Sequence, residues 1–344
     1  MKILFAGGGT LGSVSPLLAL VPQLRKRGAQ MTFVGTRRGP ERLFVEKEGL
    51  RFVWITAPKF RRYFSWRYLF VPAELLLSLC QSLWLLLRVR PNIIVSAGGF
   101  VSVPIIWVGW LLRIPSVIHQ QDIQVTLSNK LVQPVVKKIT VAFEDSLKYF
   151  PHRKTEWIGN PVRDLTPTTD SIHLDAKFPT VLIFGGGTGA TAINELVSEQ
   201  LCDFANVIHV TGSGRIGKMQ PIHHPRYHGY ELLGEEMKEA LHKADIVVAR
   251  AGLGTISELA ALGKPAIIIP IPGTHQEQNA AMLQQHHATI IINQQTMTTH
   301  AFNAAIHELL QDSHRQKELR HAISTLHKFT STKALVVMII NAAK

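Results

Sequence analysis

The predicted fold depends on one glycine-rich turn, in the stretch Ala249-Arg250-Ala251-Gly252-Leu253-Gly254-Thr255-Ile256-Ser257-Glu258. The β-branched run Ile246-Val247-Val248 precedes it and predicts a strand. A helical run closed by Gly263 follows it. Strand, glycine turn and helix start therefore occur in succession. The glycines allow the backbone to turn sharply and to approach a ligand closely.

The helix start in this stretch predicts an anion site. Thr255 is the predicted N-cap, and a helix N-terminus offers free N–H groups and a positive dipole end to a phosphate. Glu258 lies three residues further on, in capping-box spacing. It either caps the helix or accepts hydrogen bonds from a ribose diol beside a bound diphosphate. The residues alone leave both interpretations open.

The same order of strand, glycine turn and helix occurs near residues 3–20 and 181–200, each time with Gly-Gly-Gly-Thr in the turn. Strands and helices alternate throughout, as in a parallel doubly wound sheet. The Thr-, Pro- and Asp-rich residues 164–178 are typical of a linker. We therefore expect an α/β protein with domains at 1–163 and 164–325, and a C-terminal helix at 326–344 that packs back on the first domain.

Composition bounds the partners. The 344 residues exceed one ordinary core, and the net charge of +13 favours anionic partners. There is no block of five basic residues and no zinc-finger or RNP-like pattern, so no nucleic-acid partner is predicted. The 16 histidines do not repeat a metal-ligand spacing, and the two cysteines indicate a reducing compartment.

Residues 59–90 are unusual. Lys59 to Tyr68 interleave basic and aromatic residues, and Leu69 to Leu87 are almost wholly apolar. The apolar length is borderline for a membrane span, and Pro72 and Glu74 argue against one. Three interpretations of this segment stay open: a buried helix with one exposed apolar face, an interfacial membrane contact and a membrane span. Arginine with tryptophan and tyrosine suits an anionic bilayer surface.

The chemistry follows from where the glycine turns lie. Ligands of doubly wound sheets bind outside the carboxyl ends of the strands, so two such domains predict one interdomain cleft. The sequence has neither a GxSxG elbow nor a Walker lysine. A nucleotide-diphosphate donor held by glycines and helix N-termini, without a metal cluster, indicates glycosyl transfer.

The sequence resembles the MurG-type family of UDP-N-acetylglucosamine:undecaprenyl-diphospho-muramoyl-pentapeptide N-acetylglucosaminyltransferases, from about residue 2 to residue 325. The family makes bacterial peptidoglycan and has a GT-B fold with two Rossmann-like domains. The residues that carry the resemblance are Gly8-Gly9-Thr10, Gly98-Gly99-Phe100-Val101-Ser102, His119 with Gln121, Ser128-Asn129-Lys130, Gly159-Asn160-Pro161-Val162-Arg163, Gly185-Gly186, Arg250, Gly252, Ser257-Glu258, Gln276 and Asn279-Ala280.

The resemblance implies inverting, metal-independent transfer without a cofactor, with UDP-N-acetylglucosamine as donor and an undecaprenyl-diphosphate-linked acceptor. It implies a peripheral enzyme of cell-wall synthesis, on an anionic membrane surface at the cytoplasmic face of the plasma membrane. Glu258 would bind the ribose, Leu253 to Ser257 the diphosphate, and Gln276 and Asn279 the sugar. The donor-side positions are Arg163, Gly187, Thr188, Arg250, Leu253, Gly254, Thr255, Ile256, Ser257, Glu258, Gln276 and Asn279.

In the N-terminal half the acceptor's lipid diphosphate would lie against the first glycine turn and Gly98-Gly99, while Thr10 and Gly12 would face the donor. The substrate-binding positions that the resemblance assigns to this half are Thr10, Leu11, Gly12, Gly98, Gly99, Phe100 and Asn129. Arg250 either helps to stabilise the leaving diphosphate or serves as a structural salt-bridge partner.

Three departures from the family pattern concern catalysis. The family's first turn reads Gly-Gly-Thr-Gly-Gly-His, so Leu11 replaces a glycine and Ser13 a histidine. The family's His-Glu-Gln-Asn is His119-Gln120-Gln121-Asp122, and its Gly-Gly-Ser-Gln-Gly is residues 185–189 with the sequence Gly-Gly-Gly-Thr-Gly. Ser13 is a poor base, so we expect Asp122 or His119 to take the acceptor's proton.

Other classes of function stay open at this point. One is a GT-B enzyme with a different lipid or sugar acceptor, or a UDP-sugar epimerase. Another is a catalytically impaired relative that only binds a partner or a membrane, which Leu11 and Ser13 make plausible.

Overall fold

The computed structural model describes residues 1–344 except 9–11, 38, 40, 58–70, 187–188, 219, 327 and 329–330. The chain forms two compact units. Unit 1 contains residues 1–163 and 328–344, and unit 2 contains residues 164–327. The basic and aromatic run at Lys59 to Tyr68 lies outside the described residues.

Each unit is built on a parallel sheet. The strands are β1 (Lys2–Ala6), β2 (Gln30–Gly35), β3 (Arg51–Trp54), β4 (Ile93–Ser96), β5 (Ser116–Gln120), β6 (Lys138–Val141), β7 (Thr155–Trp157), β8 (Thr180–Phe184), β9 (Asn206–Val210), β10 (Tyr227–Tyr230), β11 (Ile246–Ala249), β12 (Ala266–Ile268) and β13 (Ile290–Ile291). The order in unit 1 is β3-β2-β1-β4-β5-β6-β7, and the order in unit 2 is β10-β9-β8-β11-β12-β13. In each sheet the order of the strands reverses at a topological switch point. This point lies between β1 and β4 in unit 1 and between β8 and β11 in unit 2.

Helices connect the strands. They are α1 (Ser15–Leu18), α2 (Val21–Lys26), α3 (Glu41–Lys47), α4 (Val71–Val89), α5 (Ser102–Leu111), α6 (Leu127–Val132), α7 (Thr191–Asn194), α8 (Glu236–Lys243), α9 (Leu253–Leu262), α10 (Gln276–Gln285), α11 (Thr299–Gln311), α12 (Ser313–Thr325) and α13 (Ser331–Ala342). Two helices, α1 and α2, follow the first glycine turn, and Pro22 lies in the first turn of α2, where its missing N–H breaks no intrahelical hydrogen bond. The helix after the equivalent turn in unit 2, α7, is short and ends at Asn194.

The core of unit 1 is completed by the far end of the chain. On one side of the sheet, Leu335, Val336 and Ile339 of α13 are fully buried in the same apolar cluster as Ile3 and Phe5 of β1. The start of α13 is also hydrogen-bonded to the first segment of unit 1, because Ser331 Oγ donates to the carbonyl of Asn160 at 3.0 Å. Residues 331–342 are therefore a structural part of unit 1.

Helix α4 has one packed face and one exposed apolar face. Leu85 and Leu86 are buried in the second apolar cluster of unit 1, on the side of α5. Leu76, Trp84 and Leu87 are 65%, 59% and 55% exposed. Among the described residues this is the one helix that is long and apolar enough to cross a membrane, by length and composition alone. An apolar patch of this kind marks an interaction surface.

Candidate functional site

The candidate site in unit 1 lies at the carboxyl ends of three neighbouring strands, β1, β4 and β5. The turns after β1 and β4 pack backbone against backbone. Gly99 has φ +95°, and a Cβ on it would lie 2.8 Å from the carbonyl oxygen of Gly8. Only glycine fits this close approach. The sheet order thus brings the first glycine turn and Gly98-Gly99 together, at the point where such sheets bind ligands.

The amides of the second turn are already used. Gly98 N donates to Ser96 Oγ at 3.0 Å, and Gly99 N donates to Ser128 Oγ at 3.2 Å. Asn129, one residue further along α6, is 1% exposed and lies beside the same turn. The half-buried Phe100 follows it. The predicted residues are therefore gathered here, but the two glycines use these amides to hold the turn in place.

His119 has the environment of a structural histidine. It lies within β5 and not after it, and its side chain is fully buried. Its Nδ1 hydrogen-bonds Thr140 Oγ1 and its Nε2 hydrogen-bonds Asn160 Oδ1, both at 2.9 Å. Burial lowers the pKa of His119 to about 4, against the opposing effect of the Asn160 hydrogen bond. Both ring nitrogens are occupied, so this geometry corrects the expectation that His119 is an available base.

The loop after β5 joins the first turn. Gln121 Nε2 donates to the carbonyl of Gly12 at 2.7 Å. Asp122 is half-buried next to it, and its carbonyl accepts a 2.7 Å hydrogen bond from Gln120 Nε2. Ser13 is 8% exposed at the end of the same turn. Asp122 and Ser13 are thus both at this edge, while the predicted Thr10 and Leu11 lie outside the described residues.

The candidate site in unit 2 lies at the equivalent edge, formed by β8, β11 and β12, with Phe184 paired to Ala249. Helix α9 starts earlier than expected. Its N-cap is Gly252 in an extended conformation, so Thr255 is the third helical residue and the predicted N-cap and capping box are wrong. The first helical amides, those of Leu253, Gly254 and Thr255, are without intrahelical acceptors and can bind an anion.

Two side chains of α9 serve packing. Leu253 is 7% exposed and Ile256 2%. The amide of Ile256 donates to the carbonyl of Gly252 at 3.0 Å, so this amide is already used within the helix. Ser257 Oγ donates back to the carbonyl of Leu253 at 2.7 Å. Glu258 is half-buried on the following turn.

Arg250 and Asn279 hold the turn after β11. Arg250 Nη1 donates to the carbonyls of Ile269 and Pro270 at 3.1 and 3.3 Å, and burial lowers the pKa of Arg250. Its Nε is buried without a hydrogen-bond partner. Asn279 Nδ2 donates to the carbonyl of Ala251 at 3.1 Å, which brings the start of α10 and the half-buried Gln276 to the same edge. Arg250 is therefore bound to backbone carbonyls at this edge.

The remaining predicted positions are separate. Gly187 and Thr188 lie outside the described residues, although Gly186 before them has φ +90°. Arg163 is exposed and is the last residue of the first segment of unit 1. Within the described ranges, no group of three or more His, Cys, Asp or Glu side chains is placed to hold a metal ion.

Comparisons with known proteins bear on both units. Residues 3–141 match the glycosyltransferase family 28 N-terminal domain, and residues 180–336 match the corresponding C-terminal domain. A relative from Lachnospira eligens is 33% identical over 91% of this chain and 92% of its own length. It is named UDP-N-acetylglucosamine–N-acetylmuramyl-(pentapeptide) pyrophosphoryl-undecaprenol N-acetylglucosamine transferase.

The chain belongs to the MurG family of glycosyltransferases. The crystal structure of Acinetobacter baumannii MurG superposes with a TM-score of 0.77 at 23% identity, over 99% of each chain. A UDP-GlcNAc 2-epimerase from Neisseria meningitidis, bound to UDP-GlcNAc, has a TM-score of 0.68 at 12% identity over 99% of this chain and all of its own. At such identities these likenesses concern the fold alone. The predicted class, two Rossmann-like domains of the GT-B type, is confirmed.

The sequence predicted no role for three polar residues that lie near these two edges. Arg215 Nη1 donates to Thr191 Oγ1 beside the turn after β8, and the Gly-Ser-Gly sequence before it was the available signal. Glu41 is fully buried, and its Oε1 accepts from Thr36 N at 2.7 Å, next to Gly8. Gln121 bridges two loops that are far apart in sequence, which no local pattern indicates.

Proposed function

We propose that this chain transfers N-acetylglucosamine from UDP-N-acetylglucosamine to a lipid-linked muramoyl-pentapeptide acceptor, with inversion at the sugar. The observation that carries the proposal is the match to N-acetylglucosamine transferases over almost the whole chain. It is supported by the two candidate sites, one at the switch point of each sheet, whose residue types suit the two substrates. Unit 2 takes the donor and unit 1 takes the acceptor.

In unit 2 the diphosphate is assigned to the start of α9. The amides of Leu253, Gly254 and Thr255 and the positive end of the helix dipole stabilise the negative charge that develops on the leaving UDP. Glu258 accepts hydrogen bonds from the ribose hydroxyls. Gln276 and Asn279, at the start of α10, bind the sugar.

In unit 1 the chemical step needs a base. A bond forms between the acceptor hydroxyl oxygen and the anomeric carbon of the donor, and the bond from that carbon to the diphosphate oxygen breaks. The hydroxyl proton passes to a carboxylate, for which Asp122 is the candidate because it is half-buried at the edge of the acceptor site. His119 instead supports β5 from within the sheet.

The membrane contact is assigned to the exposed apolar face of α4 together with the end of α5. Trp110 and Leu111 on α5 are 51% and 70% exposed, and α4 and α5 pack against each other. The packed face of α4 contributes to the core, which favours an interfacial contact over a span. The overall charge of +13 favours an anionic surface. On this assignment the protein binds the membrane peripherally, and the family resemblance places it on the cytoplasmic face.

The deciding experiment measures UDP release from a panel of UDP-sugars, with and without an undecaprenyl-type muramoyl-pentapeptide acceptor in vesicles. We expect release with UDP-N-acetylglucosamine and only when the acceptor is present. Conversion of the sugar to its 2-epimer without acceptor would indicate an epimerase. Binding of the donor without any release would indicate a catalytically impaired relative, and either result would refute the proposal.

A further inference from the structure

Two buried amide oxygens at the acceptor edge of unit 1 have no hydrogen-bond partner. They are Oε1 of Gln121, a residue that is 6% exposed, and Oδ1 of Asn129, which is 1% exposed. Native proteins pair almost all buried polar groups, so an orphaned acceptor calls for an explanation in terms of a ligand or ordered water. Both acceptors lie after β5, one in the loop that follows the strand and one in α6.

The orientation of both amides follows from backbone carbonyls, which can only accept. Gln121 Nε2 donates to the carbonyl of Gly12, so its oxygen must point the other way. Gln120 Nε2 donates to the carbonyls of Asp122 and Gln124 at 2.7 and 3.0 Å. Gln120 Oε1 therefore faces Asn129 Nδ2, which donates to it at 2.7 Å. A flipped amide would break these bonds, so the unpaired atoms are oxygens.

The chemistry of this edge suits a donor of hydrogen bonds. The amides of Gly98 and Gly99 are used by serine hydroxyls, and Asn129 Oδ1 lies 3.8 Å from where a Cβ on Gly98 would be. Phosphate oxygens at neutral pH cannot donate to an amide oxygen. Sugar hydroxyls and an acetamido N–H can. The region beside Gly98 therefore matches a sugar better than the diphosphate that the resemblance placed there.

We infer that Gln121 is a specificity-determining residue for the acceptor, and that its Oε1, with Oδ1 of Asn129, accepts hydrogen bonds from hydroxyl or acetamido N–H groups of the acceptor's amino sugar. The inference rests on the proposed function and names the part of the acceptor that is recognised here. Gln121 also positions the first glycine turn through Gly12, so recognition of the sugar and the shape of that turn depend on one side chain.

The test compares Gln121→Leu with wild type on the acceptor and on analogues that lack one donor each, a 6-deoxy sugar and an N-methylated acetamido group. Wild type should prefer the full acceptor over at least one analogue by about 10- to 100-fold in kcat/KM, because a site built for a donor rejects a substrate without it. Gln121→Leu should bring that ratio close to one. Gln121→Glu keeps an accepting oxygen but loses the N–H that donates to Gly12, so kcat/KM should fall on every acceptor while the preference is kept.

Asn303→Leu is the matched control. Asn303 lies on α11 in unit 2 and is also a buried amide with an unpaired Oδ1. It should change thermal stability without changing the preference. Asn129→Leu gives an independent reading if Gln121→Leu does not fold. Loss of kcat/KM by the same factor on every acceptor in Gln121→Leu would overturn the inference, because it indicates a purely structural amide. A wild type without acceptor-dependent UDP release would instead refute the proposed function.

Discussion

Asp122 and His119 lie three positions apart and have opposite environments, one half-buried after a strand and the other sealed within it. We expect Asp122→Asn to lower kcat by roughly 10²- to 10⁴-fold, because the proton acceptor is lost while the shape is kept. UDP-N-acetylglucosamine binding should stay the same. UDP release under saturating substrates measures this, and near wild-type turnover would contradict the assignment.

His119→Gln is the companion variant to Asp122→Asn. It removes the ring that joins Thr140 to Asn160, so the Tm should fall. Turnover per folded molecule should change far less than in Asp122→Asn. A large loss of kcat with an unchanged Tm would return His119 to the catalytic group.

Glu258 gives a residue-scale test of the donor site. Glu258→Gln weakens a charge-assisted hydrogen bond to the ribose, so the KM for UDP-N-acetylglucosamine should rise about 10-fold or more. Glu277→Gln, an exposed change in the first turn of α10, is the control and should have no effect. Equal KM values for the two variants would remove Glu258 from the donor site.

Residue types were visible in the sequence, but their surroundings were not. The glycines and Glu258 were identified because turn and helix-start patterns are local, whereas Asp122 was identified from the resemblance to the family's His-Glu-Gln-Asn motif. Whether His119 belongs to the strand or to the loop after it depends on where β5 ends, and strand ends are the least certain part of such a prediction. Gln121 owes its role to Gly12, 109 positions away, and only the sheet order brings them together.

At the scale of the elements, the contact between the turns after β1 and β4 is the tightest feature of the acceptor edge. Gly99→Ala places a Cβ 2.8 Å from a backbone oxygen at φ +95°, so we expect a destabilisation of more than about 1 kcal/mol and loss of transfer. Gly28→Ala is matched, with φ +71° and nothing within 4 Å. It should lose only about 1 kcal/mol and stay active. Denaturant unfolding and UDP release separate the two, and equal effects would show that strain alone is responsible.

Helix α4 carries the membrane prediction. Leu76→Glu or Trp84→Glu puts a charge on the exposed apolar face, so binding to vesicles that contain anionic lipid should fall several-fold. Leu43→Glu changes an equally exposed leucine, 72% exposed, on α3 of the same unit and should not alter binding. Co-sedimentation with vesicles measures this. Equal binding by all three variants would place the membrane contact elsewhere.

Element types followed from hydrophobic periodicity, and their limits depended on single residues. The parallel strands were continuous apolar runs, which made the doubly wound class predictable. The start of α9 was misplaced because Gly252 and Thr255 both satisfy the N-cap preference, and the extended backbone of Gly252 decides between them. The sequence left the exposure of α4 open, since buried and interfacial helices share one composition.

For the whole molecule, the two units each contain a buried neutral histidine. Burial lowers the pKa of His119 and of His209 to about 4. In the unfolded chain these groups bind protons near pH 6.5. Stability should therefore be complete above pH 6.5 and fall as the pH decreases toward 4, by up to about 3 kcal/mol for each histidine. Denaturant unfolding from pH 7.5 to 4.5 measures the slope.

Replacement of either histidine with glutamine should flatten that slope, and an unchanged stability between pH 7 and 5 would contradict the prediction.

A separate loss of folding stability should begin below about pH 4.5 in unit 2. There burial of Glu239 opposes its ionisation, but hydrogen bonds from Lys243, Ser171, Ile172 and Thr169 outweigh it and lower its pKa. Its contribution is present above the unfolded pKa and is lost as the pH falls.

The return of α13 to unit 1 has a consequence for the order of synthesis. Unit 2 is one uninterrupted segment, so all of its residues are synthesised before the last helix of unit 1. Leu335 and Ile339 fill the core beside β1, which is translated more than 300 residues earlier. Until α13 is synthesised, one apolar side of the unit 1 sheet lacks the side chains that cover it. Holdase chaperones that recognise greasy surfaces have their longest opportunity to bind during that interval.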